Sequence, residues 1–202
     1  MSRPERTGRA ARRAGWREAD YLVIDVEATS ADPRTARPLS VGWVGVAGGR
    51  VRAAEGGYAV LQDRDPGPVG PLAVHGLTPD LLAAGRPPDE VREELAAALA
   101  GRVLVAHHAP LELALLRGWG LAAEAVVDTL ALVRALDRRA GHPGADATLA
   151  GAAARLGVPA ARAHHAFGDA WTTALLLVTL AGRLERERGT VPLDDLLRLG
   201  RR

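Results

Sequence analysis

The run Tyr21–Val26, YLVIDV, is β-rich and almost wholly apolar, yet it carries one carboxylate at Asp25 and leads into a second at Glu27. Side chains of a strand alternate between its two faces, so residues two apart point the same way. Asp25 and Glu27 therefore project together from the end of a core-forming strand. Two adjacent anions repel, and burying them is costly unless a cation lies between them. Hard divalent ions such as Mg²⁺ or Mn²⁺ take oxygen ligands of this kind. Taken alone, the pair also fits a solvated strand edge, so the rest of the chain has to decide.

Two strand-like runs follow in LSVGWVGVAGGRVRAAEGGYAVL, broken at Gly48-Gly49, and they predict a hairpin. Pro and Gly mark residues 63–71 as a loop, and Thr78 is placed to cap a short helix. Residues 88–101 carry apolar side chains at 91, 95, 98 and 99, one face of a helix. A buried strand is expected over 102–108, a helix over 111–119 and a strand end at 125–129. Helices are then expected at about 129–139, 147–156, 165–188 and 192–199. A hairpin followed by strand–helix alternation indicates an α/β or α+β domain with a mixed sheet. Residues 1–19, with six Arg and no strong apolar pattern, read as a flexible basic arm ahead of a single domain spanning 20–202.

The composition narrows the chemistry. All 26 basic residues are Arg, whose guanidinium forks onto phosphates, although codon bias toward Ala, Arg, Gly and Pro would produce the same excess. There is no Cys, which excludes disulfides, iron–sulfur clusters and thiolate zinc sites. The N-terminus lacks an apolar signal region, and ALLLVTLAG is too short to span a bilayer. No membrane association and a cytoplasmic location are therefore expected. Only seven residues are aromatic, too few for an extended aromatic surface.

Two further segments bring carboxylates to element ends. In VLVAHHAPLELALL a strand ends in His107 and His108, and Glu112 opens the next helix; in HHAFGDAWTTALLL, His164 and Asp169 stand at the start of a long apolar helix. Acids favour a helix first turn for reasons of their own, so each segment has an ordinary explanation. The ordered set Asp25, Glu27, Glu112, His164, Asp169 is harder to explain that way.

That set resembles the DEDDh 3′→5′ exonuclease family, to which the proofreading epsilon subunit of bacterial replicative polymerase belongs. VIDVEATS is similar to the family's D-x-E-T-T-G, VAHHAPLELALL to its V-A-H-N-A-x-F-D-x-x-x-L, and HHAFGDA to its H-x-A-x-x-D-A. VHGLT (74–78) and VVDTLAL (126–132) resemble its H-G-I-T and D-T-L segments. The likeness spans roughly residues 20–185. There are departures: Ala28 stands where Thr is usual, Ser30 where Gly, Ser40 where Glu, His108 where Asn, and Leu111 where Phe. Glu112 stands where the second motif has Asp, one methylene longer, which questions catalytic strength.

The resemblance implies a ribonuclease H-like fold, a mixed β-sheet flanked by helices. It implies two divalent ions, Mg²⁺ or Mn²⁺, with Asp25 bridging them, Glu27 and Asp169 completing one site and Glu112 serving the other. His164 would be the general base, and Ala28, Thr29, His75 and His108 would contact substrate. Single-stranded DNA or RNA 3′ ends, DNA favoured, would be shortened to nucleoside 5′-monophosphates. The alternative is a nucleic-acid or nucleotide-binding module of the same fold with weakened or lost catalysis. Asp128 is expected to be a capping acid, His107 and His165 to lie outside proton transfer, and Trp119 and Trp171 to be packing residues. The sole Gln, Gln62, leaves no Gln-anchored clamp motif, so no polymerase- or clamp-binding tail is expected.

Overall fold

Alternation along the first strand organises the molecule. In β1 (Tyr21–Ala28), Leu22, Ile24 and Val26 face one side, while Tyr21, Val23, Asp25 and Glu27 face the other. β1 pairs antiparallel with β2 (Pro38–Ala47), and β2 with β3 (Arg50–Val60). The predicted hairpin turn is present: Gly48 and Gly49 have φ of 62° and 71°, the conformation that a two-residue turn demands of both residues. β4 (Val103–Ala106) runs parallel to β1, and β5 (Val126–Asp128) parallel to β4, giving the order β3-β2-β1-β4-β5. The computed structural model describes residues 13–65, 67–69 and 75–201.

Helices cover both faces. α1 (Pro79–Ala83) is capped by Thr78, whose Oγ1 accepts from Leu81 N–H. α2 (Pro88–Leu99) and α3 (Pro110–Gly118) bury Val91, Leu95, Leu115 and Leu116 against Leu22, Ile24 and Leu104. The other face is covered by α4 (Thr129–Arg139), α5 (Leu149–Leu156), α6 (Ala166–Arg188) and α7 (Leu193–Leu199), which share a core with Tyr21, Val23, Val44 and Val105. This is the expected mixed sheet flanked by helices, with elements within about two residues of their predicted ends. Trp119 and Trp171 pack half-buried against the two cores, as expected. Among the described residues no helix is long and apolar enough to cross a membrane.

One close approach sets the site. Gly42 on β2 lies opposite Asp25, and a Cβ there would collide with the backbone of Ala166 and Phe167. The absence of a side chain lets the first turn of α6 rest directly on the sheet. Asp169, in that turn, is thereby delivered to the face that carries Asp25 and Glu27.

The last residues of the expected arm, 15–19, are not flexible chain. Residues 1–12 lie outside the described residues, but residues 15–19 belong to the folded body. Trp16 is fully buried in a 3₁₀ turn (Trp16–Glu18), its carbonyl accepts from Tyr21 Oη at 2.7 Å, and Arg17 pairs with Glu185 at 2.7 Å. A single Trp in a polar stretch has no periodicity, so its burial was invisible to pattern reading.

Candidate active site

β1, β4 and β5 run parallel, and their carboxyl ends lie side by side, the edge at which open α/β sheets bind ligands. Asp25 and Glu27 reach this edge from β1. Asp169 comes from the first turn of α6 on the same face. Glu112 comes from the first turn of α3 on the opposite face and is only 4% exposed. The site is thus assembled across the sheet end from both layers.

Ligand atoms of Glu27, His164 and Asp169 lie within 4.8 Å of one another. Asp25 and Glu112 fall outside that tight cluster but belong to the same field. Burial, then Glu112, Asp169 and Glu27 in turn, hold the Asp25 carboxyl well above its ordinary range. Burial and Asp169 raise Glu27, and burial raises Asp169, while His164 opposes both shifts. Burial pushes Glu112 up to about 8, with Asp128 and Glu27 adding to it. Every carboxyl of the set therefore resists ionisation, through burial first and, for Asp25, Glu27 and Glu112, through neighbouring carboxylates second. The Oε2 atom of Glu112 is buried without a hydrogen-bond partner. Both observations fit a divalent cation, which takes oxygen donors and would relieve the repulsion.

The two backbone departures from ordinary conformation fall here as well. Among the described residues, His108 and His164 alone have positive φ without being glycine, at 76° and 56°. Asn tolerates that left-handed region better than most residues, so its usual presence at the position of His108 has a conformational reason. Asp128 holds the turn, as the expected structural acid: its carboxylate accepts from His108 N–H at 3.0 Å and Ala109 N–H at 3.1 Å, and caps α4 through Leu130 N–H at 2.9 Å. His107 bridges Thr129 Oγ1 and the Ala147 carbonyl.

The other expected contact residues separate. Ala28 lines an apolar pocket of about 270 Å³, together with Val26, Pro33, Leu111, Leu115 and Trp119. Thr29 closes the β1–β2 loop by accepting from Arg37 N–H at 3.0 Å. His108 has an exposed side chain. His75 is not brought into this set: it is buried, accepts from Leu77 N–H at 3.0 Å, and faces the Val69 carbonyl with Nε2 at 3.1 Å. Both its ring nitrogens are engaged in holding its own loop. Two contacts were not foreseen from the sequence. Ser40, directly opposite Glu27, is fully buried with no partner for Oγ, and Tyr58 stacks on His165. Alternation places Ser40 on the Glu27 face, a signal readable once the hairpin register is known.

Residues 22–177 match the model of the exonuclease family of the ribonuclease T type. The chain belongs to this exonuclease family. Its motifs are those of the DEDDh 3′→5′ type, with Glu112 in the place of the second Asp, and the family is one of phosphodiester hydrolases that use divalent metal ions. The exonuclease chain is similar to the PolC-type DNA polymerase III of Thermotoga maritima, 26% identical over 90% of this chain and 13% of that protein. It thus spans a small part of the curated relatives that it matches. Its fold is shared with exonuclease X in complex with 5′ overhanging duplex DNA, at 18% identity and a TM-score of 0.67 over 90% of this chain and 99% of the other. It is shared equally with E. coli exonuclease I in complex with a dT13 oligonucleotide, at 15% identity and a TM-score of 0.68 over 84% of this chain and 42% of the other.

The raised Glu112 carboxyl has a measurable consequence. A carboxyl whose folded pKa lies above its unfolded value contributes stability that is full below the unfolded pKa and is lost as pH rises through the folded pKa. For Glu112 that window runs from its ordinary 4.5 to about 8. Metal-free protein should melt at a lower temperature at about pH 9 than at about pH 6, and the rise in Tm on adding Mg²⁺ or Mn²⁺ should be larger at the higher pH. Thermal melts in chelator and in each ion check this. A metal-induced shift independent of pH would mean that no carboxyl titrates on metal binding in this range.

Proposed function

We propose that the chain is a metal-dependent 3′→5′ exonuclease that releases nucleoside 5′-monophosphates from the 3′ ends of single-stranded nucleic acid, DNA in preference to RNA. The observation that carries this reading is the meeting of Glu27, His164 and Asp169 within 4.8 Å at a sheet edge where Asp25 and Glu112 complete an acidic field.

In this reading Asp25, Glu27, Asp169 and Glu112 would hold the divalent ions, Mg²⁺ or Mn²⁺. Bound there, divalent ions would supply positive charge to activate the attacking water and offset the leaving 3′ oxygen. His164, exposed beside Glu27 and Asp169, accepts the proton of that water. Its backbone N–H donates to Asp169 Oδ2 at 2.9 Å, which ties the base to a metal-holding carboxylate. The apolar pocket lined by Ala28 and Leu111 takes the terminal sugar and base. The absence of a long aromatic surface favours a grip on the terminal nucleotides alone.

The structures of E. coli exonuclease I with single-stranded oligonucleotides support a single-stranded DNA substrate by shared fold. A binding module without catalysis is the alternative that Glu112 suggests. It loses weight because a carboxylate is retained there and is buried beside the others. The test is a matched pair of single-stranded DNA and RNA of one sequence, with products separated and identified. Nucleoside 5′-monophosphates are expected, released faster from DNA. Products bearing a 3′-phosphate would contradict the hydrolytic geometry, and faster RNA turnover would reverse the substrate assignment.

A further inference from the structure

His164 occupies a conformation that an L residue seldom adopts: its φ of 56° lies in the left-handed region, and its side chain is exposed. Such a conformation persists where its neighbours impose it. The neighbour on the helix side is His165, the N-cap of α6, whose Nδ1 accepts from Gly168 N–H at a long 3.4 Å. A second restraint on His165 comes from the sheet. Tyr58, on the edge strand β3, stacks on the His165 ring with centroids 4.4 Å apart and planes 25° apart.

This contact belongs to a packed unit. Gly56 and Tyr58 lie two apart on β3 and so share a face. Phe167 sits over Gly56, where a Cβ would run into its ring, and His165, two residues earlier, sits over Tyr58. Tyr58 also pairs with Gly42, the residue on which the first turn of α6 rests. Sheet and helix start are therefore in contact on both sides of the His165–Ala166 peptide, and the next residue back is His164. Tyr58 is 36% exposed, one of two large hydrophobic residues left exposed among the described residues, so burial alone does not account for it.

We infer that the Tyr58–His165 stack is a clamp that fixes the backbone of His164, which makes Tyr58 a positioning residue for proton acceptance from the attacking water; this rests on the exonuclease reading of the site. Tyr58 acts through His165 and does not touch the reacting atoms. Aromatic stacks contribute modestly, and misplacement of a proton acceptor by about 1 Å costs up to about 10²-fold in rate, so loss of the ring should cost about 10-fold in kcat.

The experiment is steady-state turnover of a single-stranded DNA oligonucleotide in Mn²⁺ by the full chain and by Tyr58→Ala, Tyr58→Leu, Tyr58→Phe and His164→Ala, with thermal melts confirming that each is folded. Tyr58→Ala and Tyr58→Leu should lower kcat about 10-fold with KM within about twofold, and Tyr58→Phe, which keeps the ring, should recover most of kcat. An unchanged kcat in both ring-deleted variants overturns the inference. A raised KM at unchanged kcat also overturns it, since the ring would then be gripping nucleic acid. Tyr58→Phe as slow as Tyr58→Ala overturns it too, because the hydroxyl and not the stack would matter. His164→Ala separates the two levels. If it turns over like the wild type, the exonuclease reading of the site fails; if it is inactive while the Tyr58 variants are normal, only the clamp fails.

Discussion

Glu112→Ala should nearly abolish turnover with either Mg²⁺ or Mn²⁺, by more than about 10²-fold, while Glu112→Asp should raise Mg²⁺-supported activity and narrow the gap between the two ions. Glu112 reaches the acidic field from α3, the helix on the face opposite to α6, and it is buried with Oε2 unpartnered. A buried carboxyl pushed up to about 8 is costly to the fold unless a cation compensates it. In the proposed site its removal would take away both a ligand and the charge that recruits the second ion. The extra methylene relative to Asp displaces the carboxylate by about 1 Å, and Mg²⁺, which demands near-ideal octahedral geometry, should suffer more from this than Mn²⁺. Turnover of one oligonucleotide by the three proteins across a titration of each metal measures the effect. Glu112→Asp as inactive as Glu112→Ala would show that the site is built around the longer side chain. Normal activity in Glu112→Ala would return Glu112 to an ordinary first-turn acid.

His164→Ala should lower turnover by roughly 10²–10⁴-fold, the usual size of a general-base contribution. Metal binding should survive, because Asp25, Glu27, Glu112 and Asp169 remain. His165→Ala should be much milder: its Nδ1 caps α6 and its ring stacks on Tyr58, so its part is indirect. The measurements are single-turnover rates together with Mn²⁺ affinity for each variant. Loss of metal binding in His164→Ala without loss of residual rate would make the residue a ligand and not a base. A larger effect at His165 would exchange the roles of the pair.

Much of this site was legible in the chain because its signals are local. Alternation alone places Asp25 and Glu27 on one face of β1, and a first-turn position places Glu112 and Asp169 at helix starts. The capping role of Asp128 follows from its place just before a helical pattern. What escaped depends on contacts between distant segments. The burial of Trp16 depends on the far end of the chain, through Arg17–Glu185 and the bridge from Gly15 to Pro192. The pairing of Tyr58 with His165 joins residues more than a hundred positions apart, and no periodicity reports it. His75 lies in a motif that resembles a nucleotide-binding loop, but its ring is turned inward to Val69 and Leu77. Gly42 marks the limit of pattern reading: it resembles any strand glycine until α6 is seen resting on it.

Metal-dependent hydrolysis from the 3′ end is tested most directly by the shortening of a 5′-labelled single strand. With Mg²⁺ or Mn²⁺ the label should move down a ladder of successively shorter fragments, and addition of EDTA should stop the ladder at once. Immediate release of a labelled mononucleotide would mean the opposite polarity. A ladder that continues under complete chelation would contradict a metal-holding role for Asp25, Glu27, Glu112 and Asp169.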